Sequence, residues 1–401
     1  MNAEQPLWQV GGMNADRTVF SQIMALLPLK QFHRCVDRYH GEHKVKSFAC
    51  LDQFLTLAFA QLTYRESLRD IEACLRAVQP RLYHMGFRCP QISRNTLAHA
   101  NEQRDWRIYA DFAQILIAEA RTLYAGEDFG LSLQETVFAL DSTVIDLCLS
   151  LFPWAPYKCS KAALKLHTLL DLRGSIPTYL HVTGARTSDV SVLDHLPLHP
   201  GAIYIMDRGY VHFKRLYALA QAAVFFLVRA RANMQFRRRS SHPVDKSTGL
   251  RSDQTIVLTG VDSAQDYPAP ARRVHFFDQE HRQDLVFFTN LFALPALTIA
   301  QLYQRRWKIE LFFKWIKQHL RIQAFYGTSA NAVKIQIWVA VSVYLLLAIV
   351  KKRLALKADL YRILQVSSIT LFEKIPLLQA FQHLDDDPSP SMAANQLNLF
   401  H

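Results

Sequence analysis

The stretch that decides the reading is Leu302–Leu320, LYQRRWKIELFFKWIKQHL. Tyr303, Arg306, Glu310 and Lys317 stand in it at the spacing Y-x2-R-x3-E-x6-K. On a 3.6-residue period, steps of three, four and seven bring all four to one face of a helix. A single helix is expected, opening near Thr298. Six Lys or Arg against one Glu fall within residues 301–321. Alone, such a stripe reads as solvated surface, with Glu310 an i,i+4 partner of Arg306 or Lys314. A cationic face around one carboxylate also suits holding phosphate beside a divalent cation. Two further acids favour that second reading.

They are Asp141 and Asp207. TVFALDS (136–142) and AIYIMDRG (202–209) are short apolar runs that read as buried strands ending on an acid. Open α/β sheets place their sites at such strand ends. Each acid also has an ordinary explanation, as a turn or cap residue before Ser142-Thr143 or before Arg208-Gly209. Between them, KLHTLLDL (165–172) and IPTYLHVTGA (176–185) read as a hairpin around Arg173-Gly174-Ser175. SDVSVLDHL (188–196) reads as a short helix capped by Ser188. YVHFKRLYALAQA (210–222) is an amphipathic helix and AVFFLVRAR (223–231) a further strand. This order predicts an α/β layer with a mixed sheet and flanking helices.

The flanks read differently. Residues 1–125 carry helical periodicity from about residue 18, with a break and restart at Tyr64–Ser67 and a further amphipathic helix with Ser93 and Asn95 as cap candidates. Arg65, Arg69, Arg76, Arg88, Arg94, Arg104 and Arg107 recur there, so this all-helical N-terminal domain is either DNA-binding or a plain scaffold. The α/β core is expected to span 131–231 and 297–380. Residues 232–296 break its alternation with QTIVLTG (254–260), RRVHFFDQ (272–279) and DLVFFTN (284–290), a β-rich insertion with no helix between its strands. Arg237, Arg238 and Arg239 beside Phe236 form a basic patch with an aromatic neighbour, either a DNA-contacting surface or a solvated hairpin tip. Ile335–Val350 is short for a membrane span and reads as a core helix under the sheet. Residues 385–401, with three aspartates and two prolines, read as a flexible tail.

Composition agrees. Half of the 401 residues are hydrophobic and a fifth charged, a globular profile. The formal net charge of +12 and pI near 9.4 point to a polyanionic partner, nucleic acid first. The six cysteines form no C-x2-C pair, as expected of reduced thiols in a cytoplasmic protein. The N-terminus lacks the pattern of a signal peptide. Asp141, Asp207 and Glu310, from three separate elements, suit two divalent cations about 3.5–4 Å apart. Mg²⁺ takes few protein carboxylates and leaves room for phosphate and water. Tyr303, Arg306 and Lys317 would then hold backbone phosphates, with Lys314 close enough in angle to join them.

These same segments resemble the bacterial insertion-sequence transposases of the DDE type, in the insertion sequence four family with the Tyr-Arg-Glu-Lys signature. ALDSTVIDLCLSLFPWA, KLHTLLDLRGSIP, IYIMDRGY and YQRRWKIELFFKWIK carry the resemblance, and RNTLAHANEQRDWRIY looks like the family's accessory helical domain. The resemblance extends over about residues 18–380. It implies a ribonuclease H-like core interrupted by a β-rich insertion, and Mg²⁺-dependent cut-and-paste transposition through a hairpin, with Mn²⁺ tolerated. Asp141, Asp207 and Glu310 match the metal-holding triad. Tyr303, Arg306 and Lys317 match the positions that contact terminal DNA, and Arg208 with the Arg237–Arg239 patch is expected to extend that surface. The implied partners are transposon-end and target DNA and a second copy in a homodimer. The implied location is the bacterial cytoplasm at the nucleoid, with no membrane. Some relatives stack a flipped base on an insertion Trp. No Trp lies between Trp154 and Trp307, and Phe236, Tyr267 or Phe276 would have to substitute. A nuclease of the same fold without strand transfer, or a repressor that has lost catalysis, stays open.

Overall fold

The computed structural model describes residues 16–127, 130–131, 133–158, 161–319 and 325–384; the tail expected at 385–401 lies outside them. The chain forms two compact units. One joins the segment up to Leu123 with the segment from Trp315 onward, and the other is Tyr124–Lys314.

The second unit is built on ten strands: β1 (Val137–Leu147), β2 (Pro156–Lys158), β3 (Lys161–Asp171), β4 (Ile176–Gly184), β5 (Ile203–Met206), β6 (Phe225–Arg229), β7 (Phe236–His242), β8 (Leu250–Leu258), β9 (Ala271–Asp278) and β10 (Gln283–Thr289). They form one mixed sheet in the order β2-β3-β1-β5-β6-β10-β9-β8-β7, with β4 also paired to β3. Its centre is parallel, β1 on β5 and β5 on β6, and the other pairs are antiparallel. IYIM in β5 is buried throughout, as a strand covered on both faces must be. Between β5 and β6 the Phe213–Gln221 helix makes the crossover that a parallel pair requires. Gly174 and Ser175 both take the left-handed conformation in the β3–β4 turn, and a Cβ on Gly174 would meet the Tyr124 ring at 2.3 Å.

Alternation along the strands sorts the two faces. Phe138, Leu140, Tyr204, Met206, Phe226, Val228 and Phe288 share one core cluster with Leu216 and Leu219 of the crossover helix. The residues between them point the other way, where Phe287 meets Tyr303 at 4.8 Å between ring centroids. That face is covered by the helix Ala296–Gln304.

Several expectations change here. The strands read as β8, β9 and β10 form as expected but continue the central sheet, because β10 pairs with β6. A short helix, Val261–Asp266, separates β8 from β9. The basic patch is strand β7 rather than a hairpin tip. Residues 189–194 form a 3₁₀ turn, and Ser188 gives no side-chain cap bond.

The other unit is helical. Cys50–Leu62 is buried at every position and packs against the 24-residue helix Ala330–Arg353. Ser67 and Ser93 cap helices through their side chains, at Leu68–Ala77 and Arg94–Gln103. Ala330–Arg353 is long and apolar enough to cross a membrane, but 94% of its apolar window is buried in the structure. It groups with the N-terminal helices, whereas the sequence assigned 297–380 to the sheet-bearing core. Among the described residues Cys35, Cys50, Cys74, Cys89 and Cys148 are free thiols.

Candidate active site

The parallel pairing of β1 with β5 stops at Leu140 opposite Met206. Asp141 and Asp207 are the next residue on each chain, so register alone sets them side by side. Alternation turns both away from the Phe138–Leu140 face and toward the helix that carries Tyr303. β1 does not end at Asp141 as expected. Its antiparallel pairing with β3 runs on to Leu147 opposite Ala162. Asp207 does end its strand and precedes the 3₁₀ turn Arg208–Tyr210.

The helix expected over 302–320 is two helices. Ala296–Gln304 and Trp307–His319 meet at Arg305-Arg306, where the Lys308 and Ile309 amides donate to the Arg305 and Arg306 carbonyls in a tightened turn. The first helix follows Pro295, not a cap at Thr298. Tyr303 thus leaves the end of one helix, Arg306 the junction, and Glu310 the first turn of the next.

This junction faces the acids. The Tyr303 hydroxyl donates to Asp207 Oδ1 at 3.2 Å. Arg306 Nη1 donates to Asp141 Oδ2 at 2.8 Å, and its Nη2 donates to Glu310 Oε1 at 2.6 Å. Arg306 thus bridges Asp141 and Glu310. The guanidinium also lies over the Tyr303 ring, 5.8 Å from its centroid. Burial pushes the Asp141 carboxyl up to about 6; Arg306 and the Ser142 amide oppose this, while Glu310 and Asp207 add to it. Burial likewise pushes the Tyr303 phenol up to about 12, so it stays a neutral donor at physiological pH.

The remaining candidates divide. Arg208 is exposed directly after Asp207, and Lys314 is exposed one turn beyond Glu310. Lys317 is half-exposed on the Trp307–His319 helix, past the end of the sheet-bearing unit. Arg237, Arg238 and Arg239 are exposed on β7, five strand spacings or roughly 24 Å from β5. They are not part of the acid cluster. Lys308, on the Trp307–His319 helix, donates to the Leu172 carbonyl at 3.3 Å. Tyr267 and Phe276 are buried in the core and cannot stack on a base; Phe236 is half-buried under the Arg273 guanidinium.

Three carboxylates from three elements are hard oxygen donors, the chemistry that a hard divalent cation takes. As arranged, the charge between Asp141 and Glu310 is supplied by Arg306. Among the described residues, no three acidic, His or Cys side chains are gathered tightly enough to form a ready metal cluster.

A model of the transposase DDE domain matches residues 132–346, more than half of the chain. The chain belongs to the DDE transposase family. A protein of Sinorhizobium fredii assigned as transposase y4zB is 30% identical over 282 residues, 69% of this chain and 77% of its own length. A protein of Geobacillus stearothermophilus, assigned as the transposase of insertion sequence element IS5377, is 32% identical over 208 residues, covering 52% and 55%. One from Synechocystis sp., assigned to element IS4SA, is 22% identical over 365 residues, covering 88% and 95%. A domain of unknown function, DUF4372, matches residues 15–88. The cryo-EM structure of the piggyBac transposase synaptic complex with hairpin DNA covers 95% of this chain and 85% of its own, at 9% identity and a TM-score of 0.45, too distant to bear on fold or function. DDE membership implies a ribonuclease H-like sheet, divalent-metal chemistry, and DNA cleavage with strand transfer. This transposase has the mixed sheet and flanking helices that such a core requires.

Arg306 as an internal bridge between two acids was not read from the sequence. Its one local signal, the i,i+4 spacing to Glu310, could not reveal the second bond to Asp141.

Proposed function

We propose that this DNA transposase belongs to the insertion sequence four family with the Tyr-Arg-Glu-Lys signature and moves its bacterial element by cut-and-paste. The observation that carries the reading is the meeting of Asp141, Asp207, Tyr303, Arg306 and Glu310 from three distant segments. Asp141, Asp207 and Glu310 would hold the divalent ions, two Mg²⁺ with Mn²⁺ as a substitute. Bound there, the metal supplies Lewis-acid stabilisation of the phosphate and lowers the pKa of the attacking water or 3′-hydroxyl. Tyr303 holds the Asp207 carboxylate and keeps it oriented. Arg306 neutralises the charge between Asp141 and Glu310, and its guanidinium has the planar fork that would suit a backbone phosphate. Arg208, Lys314 and Lys317 add phosphate contacts, and strands β7–β10 act as the family's β-rich insertion. The working form is a homodimer on two paired ends, in the cytoplasm at the nucleoid.

The test uses purified protein, Mg²⁺ and DNA carrying the element's own terminal inverted repeat. Nicking at the repeat end, followed by joining to target DNA, is expected. Asp207→Asn abolishes nicking and leaves end binding intact; retained nicking in that variant overturns the triad. Binding without nicking by the wild type favours a repressor, and nicking without joining favours a nuclease.

A further inference from the structure

A second set of polar side chains lies on the opposite face of β1 from Arg306. The Ser142 amide donates to Asp141 Oδ1 at 2.8 Å, and the Ser142 hydroxyl donates to Asp189 Oδ1 at 2.5 Å. Lys165 on β3 has a side chain only 11% exposed; its Nζ lies 3.1 Å from the same Asp189 oxygen and donates to the Thr187 carbonyl at 2.8 Å. His167, fully buried opposite Ser142 in register, pairs with Thr183 Oγ1 at 3.0 Å and turns Nδ1 toward Asp189 at 3.9 Å. The buried Tyr210 hydroxyl lies near Ser142, Asp141, Asp189 and Asp207, and burial with these three carboxylates pushes its phenol well up.

Burying Lys165 and His167 side by side on β3 is costly unless they are paired, and the half-buried Asp189 of the 3₁₀ turn supplies the facing negative charge. The cluster ends on Asp141. That carboxylate has two restraints, Arg306 on Oδ2 and the Ser142 amide on Oδ1. Any cation that displaces Arg306 leaves the Ser142 side as the remaining tether. Asp189 in turn holds the Ser142 hydroxyl, one residue from the Asp141 carboxylate, and Lys165 balances its charge.

We propose that Asp189 is a positioning residue for Asp141, acting through Ser142, with Lys165 as its counter-charge. The proposal rests on the reading of Asp141 as a metal-holding acid. Partners of this outer kind typically change metal affinity or activity by about 10–100-fold when removed.

The experiment compares full-length wild type with Ser142→Ala, Ser142→Thr and Asp189→Asn. Four quantities are measured: the nicking rate across a Mg²⁺ titration, end-DNA affinity without metal, the thermal midpoint, and Mn²⁺ binding by electron paramagnetic resonance. In Ser142→Ala and Asp189→Asn, nicking falls about 10–100-fold and the half-saturating Mg²⁺ rises, with weaker Mn²⁺ binding. DNA affinity and the thermal midpoint stay near wild type, and Ser142→Thr, which keeps the hydroxyl, recovers most of the loss. Wild-type metal dependence in Ser142→Ala overturns the proposal. So does a loss matched by equal losses of thermal midpoint and DNA binding with no recovery in Ser142→Thr. If wild type binds Mn²⁺ but never nicks, the transposition reading fails, and the Mn²⁺ comparison still decides the positioning role. If wild type binds no Mn²⁺, both fail.

Discussion

Arg306 grips Asp141 at 2.8 Å although 165 residues separate them in the chain. The side chains are 16% and 22% exposed, so the pair is shielded but reachable. Through its other nitrogen Arg306 also holds Glu310, and the guanidinium thus offsets two negative charges that would otherwise repel across the cleft. Arg306→Ala should destabilise the protein by about 1–3 kcal/mol, read from urea unfolding, because Asp141 loses its charged partner. Arg306→Lys should recover only part of that, since an ammonium cannot reproduce the two-pronged geometry. Equal stability of all three proteins would show that the bridge contributes nothing.

The β7 arginines should act on DNA and not on folding. Replacing Arg237, Arg238 and Arg239 together with glutamine removes charges from an exposed strand and leaves the thermal midpoint unchanged. End-DNA affinity should fall, and the slope of log K against log salt should flatten by roughly 0.9 for each phosphate no longer neutralised. An unchanged slope in filter-binding titrations would place the DNA elsewhere.

His167 makes stability pH-dependent. Burial lowers its pKa from 6.5 to about 4; Asp189 works against that, and Lys165 and His181 add to it. Between these values the unfolded chain binds the proton and the folded chain does not, so stability rises with pH from about 4 to 6.5. His167→Gln should flatten the dependence of the unfolding midpoint on pH across that window. A slope identical to wild type would remove His167 from the account.

Arg272 on β9 ties Asp253 of β8 to the segment after β10. It binds Asp253 through Nε at 2.9 Å and Nη2 at 2.7 Å, and donates through Nη1 to the Leu291 carbonyl at 2.8 Å, with both side chains 7% exposed. Arg272→Met should cost about 3–5 kcal/mol in chemical denaturation, because Asp253 stays buried without its partner. The double variant Arg272→Met with Asp253→Leu should recover much of this, as measured in the same titration.

The sequence was most legible where the signal is local. Apolar runs ending in Asp141 and Asp207 located two central strands, because a strand buried on both faces has to be apolar throughout. Short strand-like runs located β8, β9 and β10 within residues 254–260, 272–279 and 284–290. β7 escaped, since FRRRSSH is exposed at nearly every position and is held only through backbone pairing with β8. The break at Arg305-Arg306 escaped too, because neither residue disfavours helix and only the chain's path there sets it.

The sequence by itself determined the mixed α/β sheet, the acids Asp141, Asp207 and Glu310 as candidates, and the basic character suited to DNA. Each is written in side-chain type and short-range period. Tertiary structure alone decided that strands β7–β10 extend the same sheet, that the C-terminal helices group with the N-terminal ones, and that Arg306 stands between two acids. It also set Asp189 behind Asp141. These depend on register and on contacts across the fold, where the pairing of Leu140 with Met206 fixes what lies beside what, and no local pattern carries that information.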